Sequence, residues 1–444
     1  MGNRLHQLYE QLGLNEKNGL FFLDEAHLWI NRFPYRVSRI LNDVIKPDAF
    51  FCLYCEDNSI GTNDHPKPFN QSFILFFDNP DSEKEKLIHK QVINFGLAQA
   101  IIINHLDTLD LFHGNDFSIS DIKKLKKLDD SLIENFSFIN QIRGNVFKTL
   151  GEKQNTIDKF LLKNITDARR ILVAKDGLNL LPKAANCLIG RLLFISYLID
   201  RDVTFNDQNY ITGKNKIERK STFRNLITNK NQLYNFFGYL TNKYNGDMFP
   251  LIEKENEIIT YKEEDYVTTE HLEVLSHLFN CSSFFAGGKK FNANYTVQKS
   301  LFDLYDFEII PVELISSIYE NFIGNSEENE NLNLSKQKDI KAYYTPSYLV
   351  DYVLSQTVTP FLEDKTKKNT DCKVLDPACG SGIFLVETIR KIIEKELSLT
   401  KNKKISDNRL WQLIKSNVFG IDIDPDAIDI SIFSLYITIL DYKQ

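Results

Sequence analysis

Cysteine is scarce in this 444-residue chain, positive charge is not in excess, and no long apolar run is present. The six scattered cysteines do not make a disulfide framework and fit a reducing compartment. Cys52 and Cys55 form a C-x-x-C with no second pair and no nearby histidine, so they read as two buried thiols rather than a zinc site. No stretch approaches the roughly 18 continuous apolar residues of a membrane span, and the N-terminus carries charge where a signal peptide has its apolar core. A cytoplasmic chain is expected. A net charge of −7 and a pI near 5.7 give no global attraction for nucleic acid, so any such contact must come from local basic patches. Phe21–His27 copies the acidic half of an ATPase site, but no G-x-x-x-x-G-K-[ST] phosphate loop precedes it. The segment is expected to start a helix, with Asp24 as its cap.

The most informative stretch is Val374–Phe384, VLDPACGSGIF. Val374 and Leu375 supply a strand, Asp376 closes it, and Gly380, Ser381 and Gly382 let backbone approach a ligand where a Cβ would collide. Val418–Asp426, VFGIDIDPD, is a second apolar strand ending in carboxylates, where a doubly wound sheet places an acid for ribose hydroxyls. Upstream lies Tyr343–Val353, YYTPSYLVDYV. The pattern predicts a helix over 345–356, a strand over 373–376, a helix over 382–396 and a strand over 418–422, the two strands parallel and adjacent.

In this order the three stretches resemble motifs X, I and II of the S-adenosylmethionine-dependent amino-methyltransferases that act on DNA adenine. LIGRLLFISYLIDRDV at 188–203, YNGDMFP at 244–250 and LYDFEIIPVELISSIYENF at 304–322 are similar to the helical region preceding motif X in large restriction-modification enzymes of the type IIG kind. The resemblance implies that Tyr344, Thr345 and Pro346 line the methionine side of S-adenosylmethionine. It implies that Asp376 balances the cofactor's ammonium, and that the turn Ala378, Gly380, Ser381, Gly382 lies against ribose and carboxylate. Asp422 would accept the ribose hydroxyls and Ile423 would pack on the adenine ring, with Asp424 as the alternative acid. The lesser alternatives, without a ligand, are a helix N-cap for Asp376 and an exposed strand end for Asp422.

The family's catalytic tetrapeptide, [NDS]-P-P-[YFW], does not occur; Asp78-Asn79-Pro80-Asp81 reads as a strand-ending turn. No catalytic residue is therefore assigned, and the family's target-recognition domain is not recognised. The resemblance implies double-stranded DNA as a partner and a downstream polypeptide that completes the enzyme. A restriction-type cleaving or DNA-binding subunit with a vestigial methyltransferase domain is the alternative.

The expected fold is α/β in four parts. Residues 1–115 form an α/β domain resembling the PD-(D/E)xK nuclease core but without an E-x-K, with Asp78 as a remnant ligand at most. Residues 116–324 form a helical connector, 325–338 a linker, and 339–444 an incomplete Rossmann-like methyltransferase domain. In the first part Ala49–Cys55 and Ser72–Phe77 read as strands, Ser82–Phe95 as a helix with Leu87 and Val92 inward, and Ala100–Asn104 with Leu109–Phe112 as a hairpin. Asp121–Leu128 reads as a connector helix, and Leu188, Leu192, Ile195 and Ile199 as a core stripe. Lys214, Lys216, Arg219, Lys220 and Arg224 make the best basic patch, either a DNA phosphate contact or an ordinary exposed loop. The last helix, apolar on most sides through Ile428, Phe433 and Tyr436, is expected to expose part of that surface.

Overall fold

The computed structural model describes residues 3–52, 73–106, 108–117, 122–127, 130–143, 146, 156–203, 205, 210–244, 250–280, 285–286, 289–290, 305–312, 314, 345, 347–364, 370–400 and 404–443. The expected linker over 325–338 lies outside them, as do Cys55, Tyr344 and Pro346. Two compact units result, one from residues 1–160 with 304–310 and one from 161–303 with 311–444.

The first unit is built on a six-stranded sheet whose strands are neighbours in chain order: β1 (Leu20–Phe22), β2 (Ala49–Cys52), β3 (Phe73–Asp78), β4 (Ala98–Asn104), β5 (Leu109–Phe117) and β6 (Ile122–Lys127). Only β3 and β4 pair in parallel, joined by the crossover helix α2 (Ser82–Phe95); α1 (Asn3–Leu12) precedes β1. The unbroken apolar runs of β2 and β3 follow from burial on both faces. Phe50, Phe73, Leu75 and Phe77 pack toward Ile88, Val92 and Phe95 of α2, whereas Phe51, Ile74 and Phe76 pack toward Leu5, Leu8 and Leu12 of α1.

Three expectations for this unit need correction. Leu87 is 52% exposed, because the inward face of α2 runs Ile88, Val92, Phe95, one residue out of phase with the expected stripe. Asp121–Leu128 is no helix: residues 122–127 form edge strand β6, antiparallel to β5, where a ladder partner outweighs the helical spacing of the lysines. Asp24 caps nothing, since Leu20–Phe22 is a strand and Leu23–Glu25 a 3-10 turn without a side-chain cap bond. The Asp78–Asp81 turn forms as expected, with Asn79 at φ +44° and Asp81 capping α2 by accepting the Lys84 N–H at 2.8 Å.

The second unit contains the helices α3 (Ile157–Val173, whose first turn belongs to the other unit), α4 (Pro182–Asp200), α5 (Lys216–Ile227), α6 (Lys230–Tyr244) and α7 (Thr269–Asn280), with the hairpin β7 (Ile252–Glu255) and β8 (Ile258–Lys262). Leu188, Leu192, Ile195 and Ile199 are all buried. They are one side of a helix covered almost all round; α4 is long and apolar enough in composition to cross a membrane, yet 78% of it lies inside this fold. Arg191 of α4 is buried with Glu263, its guanidinium donating at 2.8 and 3.2 Å, and the Tyr234 hydroxyl donates to the same carboxylate at 2.9 Å.

Residues 347–443 add α8 (Ser347–Gln356), β9 (Val374–Asp376), α9 (Ile383–Leu399), α10 (Asp407–Asn417), β10 (Val418–Gly420) and α11 (Pro425–Tyr442). The expected helix, strand, helix and strand are present, and β9 and β10 pair in parallel with Leu375 opposite Phe419 and Asp376 opposite Gly420. The crossover is lengthened by a whole extra helix, α10, capped by the Ser406 hydroxyl. The surface expected to be open on α11 is largely covered: Phe433 is 1% exposed, its ring 5.1 Å from that of Phe194 in α4, and Tyr436 lies against Phe194 and Trp411.

Candidate cofactor site

The parallel ladder ends where the carboxylates begin. Beyond Asp376 and Gly420 the chains stay in register through two more bonds, the Ile421 N–H donating to the Asp376 carbonyl at 2.9 Å and the Cys379 N–H to the Ile421 carbonyl at 3.0 Å. The turn between β9 and α9 then folds back, and its Gly380 N–H donates to Asp422 Oδ2 at 2.8 Å. Asp422 Oδ1 accepts the Asp424 N–H at 2.9 Å, and Asp376 Oδ1 accepts the Ala378 N–H at 3.1 Å. Both acids are thus oriented by backbone donors. Asp376 closes a local turn; the N-cap position of α9 is Gly382.

Two glycines require their identity. Gly380 has φ +50° and Gly382 φ +87°, a region that costs other residues about 1–2 kcal/mol. A Cβ on Gly382 would lie 2.3 Å from Ser431 Oγ, so α11 could not sit where it does. On the other side Gly420 lets Cys379 and Leu385 close in, a Cβ there meeting Cys379 Sγ at 2.9 Å. Burial, followed by the Asp376 and Asp422 carboxylates, pushes the Cys379 thiol up, which keeps it protonated at neutral pH.

The structure therefore brings together Asp376, Ala378, Gly380, Ser381, Gly382 and Asp422 at one end of the two strands. Ser381 is buried, Ala378 exposed, and Ile423, beside Asp422, is 90% exposed. Thr345 is half-buried just before α8, which packs on α9. Cys379 and Ser431 were missed by sequence reasoning; Ser431 carries no signal, being one polar residue in an apolar helix that meets the turn only through tertiary packing.

Away from this site, the basic patch is only partly a surface. Arg219 is buried and paired with Asp202, and Lys220 Nζ lies 2.5 Å from Asp200; Lys214 is exposed, Lys216 and Arg224 half-buried. At the end of the first unit's sheet, Asp48, also missed, accepts the Asp78 N–H at 2.7 Å, and Asn104 donates to Asp78 Oδ1 at 2.6 Å.

Residues 354–444 match the family model described as MmeI, DNA-methyltransferase domain. The chain is 23% identical over 322 residues to the putative type II restriction enzyme and methyltransferase RM.MjaORFECS2P of Methanocaldococcus jannaschii, covering 58% of this chain and 25% of that protein. It is 22% identical over 450 residues to the type II restriction enzyme and methyltransferase RM.Eco57I of Escherichia coli, covering 89% of this chain and 39% of that protein. It is 27% identical over 164 residues to the adenine-specific methyltransferase BrxX of Escherichia coli, covering 28% of this chain and 13% of that protein. The chain spans about a quarter to two-fifths of the length of the two restriction relatives. A DrdV–DNA complex solved by cryo-electron microscopy aligns over 89% of this chain and 33% of that chain at 13% identity, with a TM-score of 0.32 that is too low to carry an argument. In motif order and in its parallel strand pair the chain is similar to these restriction-modification and adenine-specific methyltransferases, its residues 354–444 matching an MmeI-type DNA-methyltransferase domain.

Proposed function

We propose that this chain is the S-adenosylmethionine-binding part of a site-specific adenine DNA methyltransferase of a restriction-modification system, acting in the cytoplasm, with methyl transfer requiring segments outside these residues. The observation that carries the reading is the bond from the Gly380 N–H to Asp422, which locks the glycine turn of one strand to the acid of the next. A carboxylate has about four acceptor sites, and Asp422 uses one on each oxygen for backbone. Each oxygen keeps capacity for one more donor, which suits a pair of ribose hydroxyls.

The site fits the cofactor on two further counts. At Gly380 the turn carries no Cβ and nothing lies within 4 Å of where one would stand, and Ile423 is an apolar side chain exposed beside the acid, suited to an adenine ring. Asp376 would hold the ammonium through a charge-assisted bond, and Thr345, with Tyr344 and Pro346, would line the methionine side. The cofactor, when bound, supplies the methyl group; the chain's own residues bind and orient it. The amino nitrogen of the target adenine would be held by the family's tetrapeptide, which these residues do not contain, and no residue here is given a catalytic role.

Titration calorimetry with S-adenosylhomocysteine tests the reading. Binding is expected in the wild-type chain, and Asp422→Ala should weaken it by about 1.5–3 kcal/mol, the worth of a charged acceptor. Equal affinity in the variant would remove Asp422 from the ribose role, and no heat with either protein would end the cofactor reading.

A further inference from the structure

We propose that the groove at the turn between α5 and α6 holds the sugar–phosphate backbone of double-stranded DNA. This inference rests on the reading of the chain as a DNA-modifying protein but concerns a different part of it. The groove has a volume of about 690 Å³ and is open to solvent. Of its ten lining residues nine are polar, none is acidic, and Leu226 is the sole aliphatic one.

That lining differs from a small-molecule pocket, which is mostly apolar with a few polar groups. Four side-chain amides, Asn225, Asn229, Asn231 and Gln232, stand with Lys230 and Tyr210 in a chain whose acidic residues outnumber its basic ones, 60 to 53. Amides, hydroxyls, a tyrosine and a lysine are the groups that donate to phosphate and sugar oxygens without reading sequence. The absence of a carboxylate leaves nothing in the lining to repel a polyanion. The four amide side chains are exposed, and Tyr210 is held by ring contacts to Phe236 and Tyr239 at 5.5 and 6.4 Å. The basic run at the other end of α5 has turned Arg219 and Lys220 inward onto Asp202 and Asp200, which moves the expected contact toward the C-terminal end of α5.

The test is fluorescence anisotropy of labelled duplexes of several sequences with the full 444-residue chain over a range of salt. Lys230→Gln should lose about fivefold to tenfold in affinity near 0.1 M salt and lower the slope of log affinity against log salt by about one, equally for all sequences. Lys230→Arg should restore both, and Asn231→Asp, which introduces a carboxylate, should weaken binding without changing thermal unfolding. Unchanged affinity and slope in both Lys230→Gln and Asn231→Asp would overturn the proposal, as would a loss confined to one sequence or a wild-type chain that does not bind DNA. S-adenosylhomocysteine titration of the same variants separates the two readings: its loss in the wild type with DNA binding intact would sink the cofactor assignment and leave the groove standing.

Discussion

Arg201 donates from both Nε and Nη2 to a single oxygen of Asp441, at 3.0 and 2.8 Å, and both side chains are almost wholly buried. Arg201 ends α4 and Asp441 lies in the last turn of α11, so this pair joins those two helices within the second unit. Phe433 packing on Phe194 extends the same contact.

Removing one partner of a buried pair leaves an uncompensated charge, so Asp441→Ala should destabilise the second unit by about 3–5 kcal/mol. Replacing both, Arg201→Met with Asp441→Leu, should recover most of that loss. Urea unfolding followed by circular dichroism gives the comparison; a double variant no better than the single would show that the pair's hydrogen bonds outweigh its desolvation.

The glycines of the turn should rank by what surrounds them. Gly380→Ala meets nothing within 4 Å and should cost about 1–2 kcal/mol of backbone strain alone. Gly382→Ala adds the collision with Ser431 and should cost more, with loss of S-adenosylhomocysteine binding. Equal unfolding midpoints for the two variants would remove the close approach of α11 as the reason for Gly382.

His89 gives the first unit an acid sensitivity. Burial against Phe112 lowers its pKa from an ordinary 6.5 to about 4, despite Glu85 at 3.7 Å. With the folded value depressed, the stabilisation is complete above about pH 6.5 and is lost as pH falls toward about 4, amounting to roughly 3 kcal/mol. His89→Leu should flatten that fall. Denaturant midpoints for both proteins at about pH 7 and about pH 4.5 test it; parallel declines would show that other groups carry the acid sensitivity.

The sequence by itself determined the arrangement around the paired strands β9 and β10. Strand, glycine turn, helix and second strand are local features separated by apolar periodicity and turn chemistry, and parallel pairing follows from strand twist, so Asp376 and Asp422 could be placed before the fold was known. The same reasoning failed where a distant partner overrides a local pattern. Lysine spacing over 122–127 suits a helix, yet β5 offers an open ladder, and backbone hydrogen bonding decided for strand. The apolar α11 seemed uncovered because α4, which covers it, lies more than two hundred residues earlier. Arg219 and Lys220 read as surface cations because sequence cannot show which carboxylates fold against them. Tertiary structure alone decided those partners, since burial and charge pairing depend on distances through space.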